Sequence, residues 1–166
     1  MCHLSQRHRS AFARMHADKE VMADLGGPID RPESDAKFDR YVVAQTQHGI
    51  ARFALEDASG RFLGYCGIMP RLDQHHPLGP HHEIGWRLVR HVWGQGYATE
   101  SAAVALRLAS GVLGQEQVFS YTTADNKRSQ RVMEKLGLIR APEFDFTIPR
   151  DDMRAWQCLV WKTRLA

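Results

Sequence analysis

Cysteine is scarce in this sequence: Cys2, Cys66 and Cys158 are odd in number, widely spaced and form no C-x-x-C pair. Neither a disulfide framework nor a zinc ribbon is indicated, and a reducing cytoplasm is the expected setting. Long apolar runs are missing too. None approaches the roughly 18 residues that cross a bilayer, and the opening MCHLSQRHRS lacks the apolar middle of a signal peptide. A soluble intracellular protein without a membrane partner is expected. Internal repeats, low-complexity tracts and long basic runs are also lacking, and 22 Lys and Arg against 19 Asp and Glu leave a formal charge of +3. That balance argues against a nucleic-acid face and suits a small anionic ligand.

What is present fits one domain spanning 1–166, since 43% hydrophobic and 25% charged residues allow a single sizeable core. Residues 1–49 read as a helical cap. Phe12 and Met15 recur at helical spacing within 5–17; glycines 26 and 27 and Pro28 break the pattern; Phe38, Tyr41, Val42 and Gln45 share a side of a second helix over 34–48. Residues 50–166 read as a sheet with cofactor-binding helices. A hairpin is expected from 50–56 and 61–69, a loop over 70–80, then strand 82–89, helix 95–111, strand 117–123, helix 126–136 stopped by Gly137, and a closing strand 154–163. Interleaved strands and helices imply an α/β sandwich around a mixed sheet.

The informative stretch is HHEIGWRLVRHVWGQGYATESAAVAL, where a strand ends near Leu88 and Val89 and a helix begins close to Gly94. Gly94 and Gly96 remove the Cβ atoms that would hold a ligand off the chain, so successive N–H groups can converge on one point. The unpaired amides and positive dipole end of the helix make that point a phosphate site, with Ala98 keeping the approach open. A dinucleotide fingerprint would need a further glycine and a distal acidic residue, and a nucleotide-triphosphatase loop a GK[ST] ending. Neither is present.

EIGWRLVRHVWGQGYATESA resembles the acetyl-CoA signature of the GNAT acetyltransferase superfamily, and its W-G-x-G-Y-A-T-E core is similar to the RimJ/RimL-like branch of ribosomal-protein N-terminal acetyltransferases. NKRSQRVMEKLGL, from Asn126 to Leu138, resembles the family's second signature at the expected separation. The resemblance implies a three-layer α/β/α sandwich around a mixed, mostly antiparallel sheet whose middle strands splay apart. It implies that main chain at Leu88 and Val89 binds the pantetheine arm, that Trp93, Gly94, Gln95, Gly96, Tyr97, Ala98 and Thr99 hold the pyrophosphate, and that Asn126 and Ser129 flank the pantetheine and sulfur. The co-substrate implied is acetyl-CoA, with no metal. The reaction implied is direct transfer to a primary amine, a protein N-terminus or a small molecule, and a homodimer is a reasonable assembly.

Three departures stand out. His91 replaces the usual Gln or Arg three residues before Gly94. Met133 occupies the place of the family's proton-donating tyrosine, and a thioether has no proton to give. Ser129, one turn earlier, is the nearest hydroxyl. The family's opening strand has no counterpart ahead of the first helix, so an exposed sheet edge is expected.

Glu83, on the strand leading to the acetyl site, is the candidate general base, acting directly or through water, with His82 or His81 as rivals; the alternative is that it only hydrogen-bonds the substrate or pairs with an arginine of the neighbouring strand. The four histidines in the run HHPLGPHH invite a metal, but Pro77, Gly79 and Pro80 read as a loop forming a lip over the acceptor pocket. Trp156, Trp161 and Cys66 read as core. Arg128 and Arg131 either reach the cofactor's 3′-phosphate or line a solvated helix face. A non-catalytic CoA-binding module is the competing reading, and a nucleotide-binding protein a third.

Overall fold

The computed structural model describes residues 1–114, 117–149 and 155–164. The cap begins with a 3-10 turn at Gln6–His8, where the Ser5 N–H donates to His8 Nδ1 at 3.0 Å, so the first helix, α1, spans only Arg9–His16. The second, α2, spans Arg31–His48 and starts three residues before its expected position. Asp30 accepts from the Glu33 N–H at 2.8 Å and Glu33 answers to the Asp30 N–H at 3.3 Å, a capping box that D-R-P-E announces.

Seven strands follow: β1 Arg52–Glu56, β2 Phe62–Arg71, β3 His81–Leu88, β4 Val118–Thr123, β5 Ile139–Arg140, β6 Phe146–Ile148 and β7 Trp156–Lys162. Helix α3 (Tyr97–Leu113) joins β3 to β4, and α4 (Lys127–Lys135) follows β4. The sheet order is β1-β2-β3-β4-β7-β5, with β6 also on β7, and every pairing is antiparallel except β3 with β4. Strand β2 runs through Pro70 and Arg71, where a loop is expected from sequence. Pro70 faces His82 beyond the last β1 partner of β2, Gly67, so its missing N–H deprives no neighbouring strand. Strands β5 and β6 are too short to leave a period in the sequence. Arg154, the expected start of the closing strand, lies outside the described residues.

Both faces of the sheet are covered, which gives the three layers. Cys66 and Ile68 of β2 pack with Ile84, Ala102, Ala105, Met133 and Trp161 beneath α3 and α4; Tyr65 and Met69 pack with Phe12, Phe38 and Tyr41 beneath α1 and α2. Cys66 is fully enclosed, and burial pushes its thiol up to about 11. Trp156 packs in a smaller cluster with Phe146 and Val160.

Two features of the sheet bear on the site. Strands β3 and β4 pair only at His82↔Val118 and Glu83↔Phe119; next, the Ser120 hydroxyl donates to the Ile84 carbonyl at 3.0 Å and the strands part. The outer edge of β1 is less bare than expected, because Cys2 exchanges two backbone hydrogen bonds with Ala54. Among the described residues no helix is long and apolar enough to cross a membrane.

Candidate active site

After β3 the chain makes a 3-10 turn at Arg90–Val92 and reaches α3 through Trp93 to Gly96. Gly94 at φ +74° and Gly96 at φ +90° hold the left-handed backbone that a side chain disfavours. The result is a run of amides, from Gly94 to Thr99, that find no acceptor among the described residues. Gly94 and the stretch from Gly96 to Thr99 border a cavity of about 300 Å³ between the start of α3 and α4. Leu88, Trp93, Gly94, Gly96, Tyr97, Ala98 and Thr99 line one side of it, and Asn126 and Ser129 the other. Arg128, Arg131 and Lys135 add positive charge from α4. Its one carboxylate, Asp24, is paired to Arg87 at 2.6 Å. A chain of phosphates is the ligand chemistry such a wall suits.

Val89 and Gln95 do not reach this wall. The Val89 N–H donates to the Leu63 carbonyl at 2.9 Å, and Gln95 Nε2 folds back onto the His91 carbonyl at 2.9 Å. The Leu88 carbonyl is engaged as well, by Trp93 Nε1 at 2.9 Å, so the expectation of free main chain at both residues needs correction. What stays open is the Leu88 N–H. The Val89 to Leu63 bond makes Leu88↔Gly64 a pair without mutual hydrogen bonds, which turns that N–H toward the gap beside β4. The Trp93 ring also lies under the Arg128 guanidinium, 3.8 Å from its centroid.

Asn126 caps α4: its Oδ1 accepts from the Ser129 N–H at 3.1 Å, and its Nδ2 donates to Ser129 Oγ at 3.0 Å and Asp24 Oδ2 at 2.7 Å. Ser129 therefore accepts through its oxygen and keeps its own O–H to donate. Met133, where the sequence resemblance leads one to expect a tyrosine, is buried at 1% exposure in the core beside Ile84.

A second cavity, about 610 Å³, lies on the other side of Ser129. Asp24, Trp86, Arg87 and Ser129 line both and mark the passage between them. Glu83 is in its wall, buried, and it forms ion pairs with two arginines: Arg71 of the neighbouring strand β2, one of the alternatives expected for it, engages one carboxylate oxygen, and Arg52 Nη2, from β1, is 2.9 Å from the other. Burial alone would raise this carboxyl, but Arg52 and then Arg71 outweigh it and hold it below the usual range. Both oxygens are occupied and the basicity is reduced, which is poor equipment for a general base.

Of its histidine rivals, His81 is turned into an aromatic cluster with His76, Phe119 and Tyr121, its Nδ1 2.7 Å from the Gly79 carbonyl. His76 is the loop histidine that does line the cavity. The run at 75–82 forms no convergent ligand group; among the described residues only Cys2, His8 and Glu56 do, with Arg7 also on Glu56 at 3.1 Å.

Sequence reading missed Lys37, Arg52, Arg71 and the Arg87–Asp24 pair. Arg52 left a trace: it is a charge in the apolar alternation of A-R-F-A-L. Gly85 left another. A Cβ there would stand 2.7 Å from Arg52 Nη2, so the glycine makes room for the guanidinium to lie across β3.

The family model described as "Acetyltransferase (GNAT) domain" matches residues 2–139. YkkB of Bacillus subtilis (strain 168) is 28% identical over 138 residues, 82% of this chain and 78% of that protein. FsC-acetyl coenzyme A-N(2)-transacetylase of Aspergillus fumigatus is 28% identical over 146 residues, 85% of this chain and 62% of its own length. The crystal structure of an acetyltransferase from Agrobacterium tumefaciens str. C58 superposes with a TM-score of 0.79 at 26% identity, covering 98% of this chain and 88% of that one. The splayed sheet, the glycine turn and the matched domain lead to one conclusion: the chain belongs to the GNAT acetyltransferase family.

Proposed function

We propose that the protein is an acetyl-CoA-dependent N-acetyltransferase of the RimJ/RimL-like branch, passing acetyl directly to a primary amine in a ternary complex. The observation that carries this reading is the set of unengaged amides at Gly94 and from Gly96 to Thr99, beside a cavity that meets a second one at Ser129. The wall residues fit the cofactor: amides and the α4 cations toward the phosphates, the Leu88 N–H toward the pantetheine. The Aspergillus relative, whose name is that of an acetyl-CoA N-transacetylase, supports the same cofactor.

Acetyl-CoA supplies a thioester carbonyl and a thiolate leaving group. The amine's nitrogen forms a bond to that carbonyl carbon, the carbon–sulfur bond breaks, and the amine's surplus proton leaves to solvent. Ser129 donates its hydroxyl hydrogen toward the departing sulfur, in place of the tyrosine that Met133 replaces. We assign Glu83 a positioning role, holding Arg52 and Arg71, because both of its oxygens are occupied by those guanidiniums.

The test is thiol release from acetyl-CoA across a panel of primary amines, with the products weighed by mass spectrometry. Amine-dependent release and an acetylated amine are expected, with kcat reduced about tenfold or more in Ser129→Ala. Tight CoA binding with no amine ever accelerating release would replace this reading with a CoA-binding module. Stabilisation by ATP or NAD rather than CoA would replace it with a nucleotide-binding protein.

A further inference from the structure

The second cavity has a charge pattern that acetyl transfer by itself does not require. Five cationic side chains line it, Lys37, Arg40, Arg52, Arg71 and Arg87, against three carboxylates, Asp24, Asp73 and Glu83. Two of the carboxylates are committed to arginines, and the third, Asp73, sits exposed at the rim. Asp24 holds Arg87 and Asn126, Glu83 holds two arginines, and Asp73 Oδ1 accepts from the His75 N–H at 2.9 Å.

The cations are in excess. Neither Lys37 nor Arg40 has an ion-pair or hydrogen-bond partner among the described residues, and both rise from α2 into the wall. Buried donors are left over as well: Nε of Arg52, whose side chain is 3% exposed, and Nε of Arg87 have no acceptor. His76 adds to this set. Its Nδ1 accepts from the Leu78 N–H at 3.1 Å, so the neutral ring carries its proton on Nε2.

A half-buried ammonium without a counter-charge is unfavourable unless a ligand supplies one. Burial pulls the Lys37 ammonium down from its ordinary range, and Arg87, Arg52 and Arg71 push the same way against an opposing contribution from Tyr41. An arriving anion relieves that strain. A polyamine or other cation-rich acceptor meets one carboxylate without a cationic partner among the described residues there, the exposed Asp73, against the unpaired Lys37 and Arg40.

We infer that the acceptor is a small primary amine bearing a carboxylate, seated in the second cavity with its carboxylate against Lys37 and Arg40 and its amine toward Ser129. A volume of about 610 Å³ is of the size that takes a small molecule. The inference rests on the proposed acetyl transfer and names the acceptor class for that same site.

The experiment compares α-amino acids with their own amides, and with spermidine, as acceptors in the thiol-release assay. An amino amide has the less basic nitrogen, hence more free amine at neutral pH, so a preference for the acid comes from the site and not from amine reactivity. The acid is expected to win in kcat/KM by about ten- to a hundredfold, the range of a charge-assisted contact. Lys37→Met should shrink that ratio about tenfold, and Lys37→Glu should turn it toward spermidine. Arg40→Gln, at an exposed position, reads the same ratio if the Lys37 variants fold poorly.

Amides or spermidine acetylated as well as the acids, or a ratio unmoved in both Lys37→Met and Arg40→Gln, overturns the inference and leaves the enzyme reading standing. No release with any amine while CoA binds overturns both.

Discussion

The two cavities that meet at Ser129 are built by different means. The proposed cofactor side is mostly main chain: amides of Gly94 and of Gly96 to Thr99, the Leu88 N–H, and a capping asparagine, all from two short stretches of sequence. The proposed acceptor side is mostly side chains, and its cationic members come from α2, β1, β2 and β3. A backbone cradle tolerates many neighbours because every residue carries an amide. A side-chain wall is specific and fragile, since each buried charge depends on a partner from another element.

The largest expected effect breaks the fragile side. Glu83→Ala would leave Arg52 buried without a counter-charge and should lower stability by about 3–5 kcal/mol in chemical denaturation. A loss below about 1 kcal/mol would mean that the acceptor wall does not depend on its ion pairs.

Next comes acidity, which should act on the acceptor side through the layer beneath it. His16 is fully buried against Phe12 and Tyr65, its Nδ1 donating to the Phe12 carbonyl at 2.9 Å while Nε2 faces no partner. Burial, with Lys37 adding to it, lowers its pKa to about 3 from 6.5. The unfolded chain then binds a proton that the folded one refuses, so this contribution is present above about 6.5 and is lost as pH falls toward 3. The slope should approach roughly 1.4 kcal/mol per pH unit. Comparing pH-dependent melting of the parent with His16→Phe isolates it, and identical profiles would refute it.

Gly96→Val sharpens the other half of the comparison. A β-branched residue at φ +90° should cost about 1–2 kcal/mol in stability and weaken CoA binding about tenfold by calorimetry, with the acceptor's KM little changed. The smallest effect is expected at the rim. Arg128→Ala removes the cation over Trp93 and should cost CoA binding about 0.5–1 kcal/mol, less at high salt.

How legible each side is follows from how it is built. Helix starts, glycine turns and capping residues act within a few positions, so W-G-x-G-Y-A-T-E and the Asn126 to Ser129 segment can be read directly. The strands β1 to β4 and all four helices are anticipated within a few residues, with the capping box at Asp30 overlooked. Less could be read of β5 and β6, which exist because β7 offers them partners. Glu83 was legible as a strand residue near the site. Its two arginines were not, because Arg52 and Arg71 meet it only once β1 and β2 have paired beside β3.

The sequence by itself determined the glycine turn with its unengaged amides and the layered fold, since local backbone geometry and apolar periodicity are properties of neighbouring residues. Only the tertiary structure decided which charges are neutralised and which remain for a ligand. Whether Glu83 is a base or an anchor, and whether Lys37 is a surface lysine or an unpaired cation in a cavity wall, depends on burial and on partners distant in the chain. Packing supplies both.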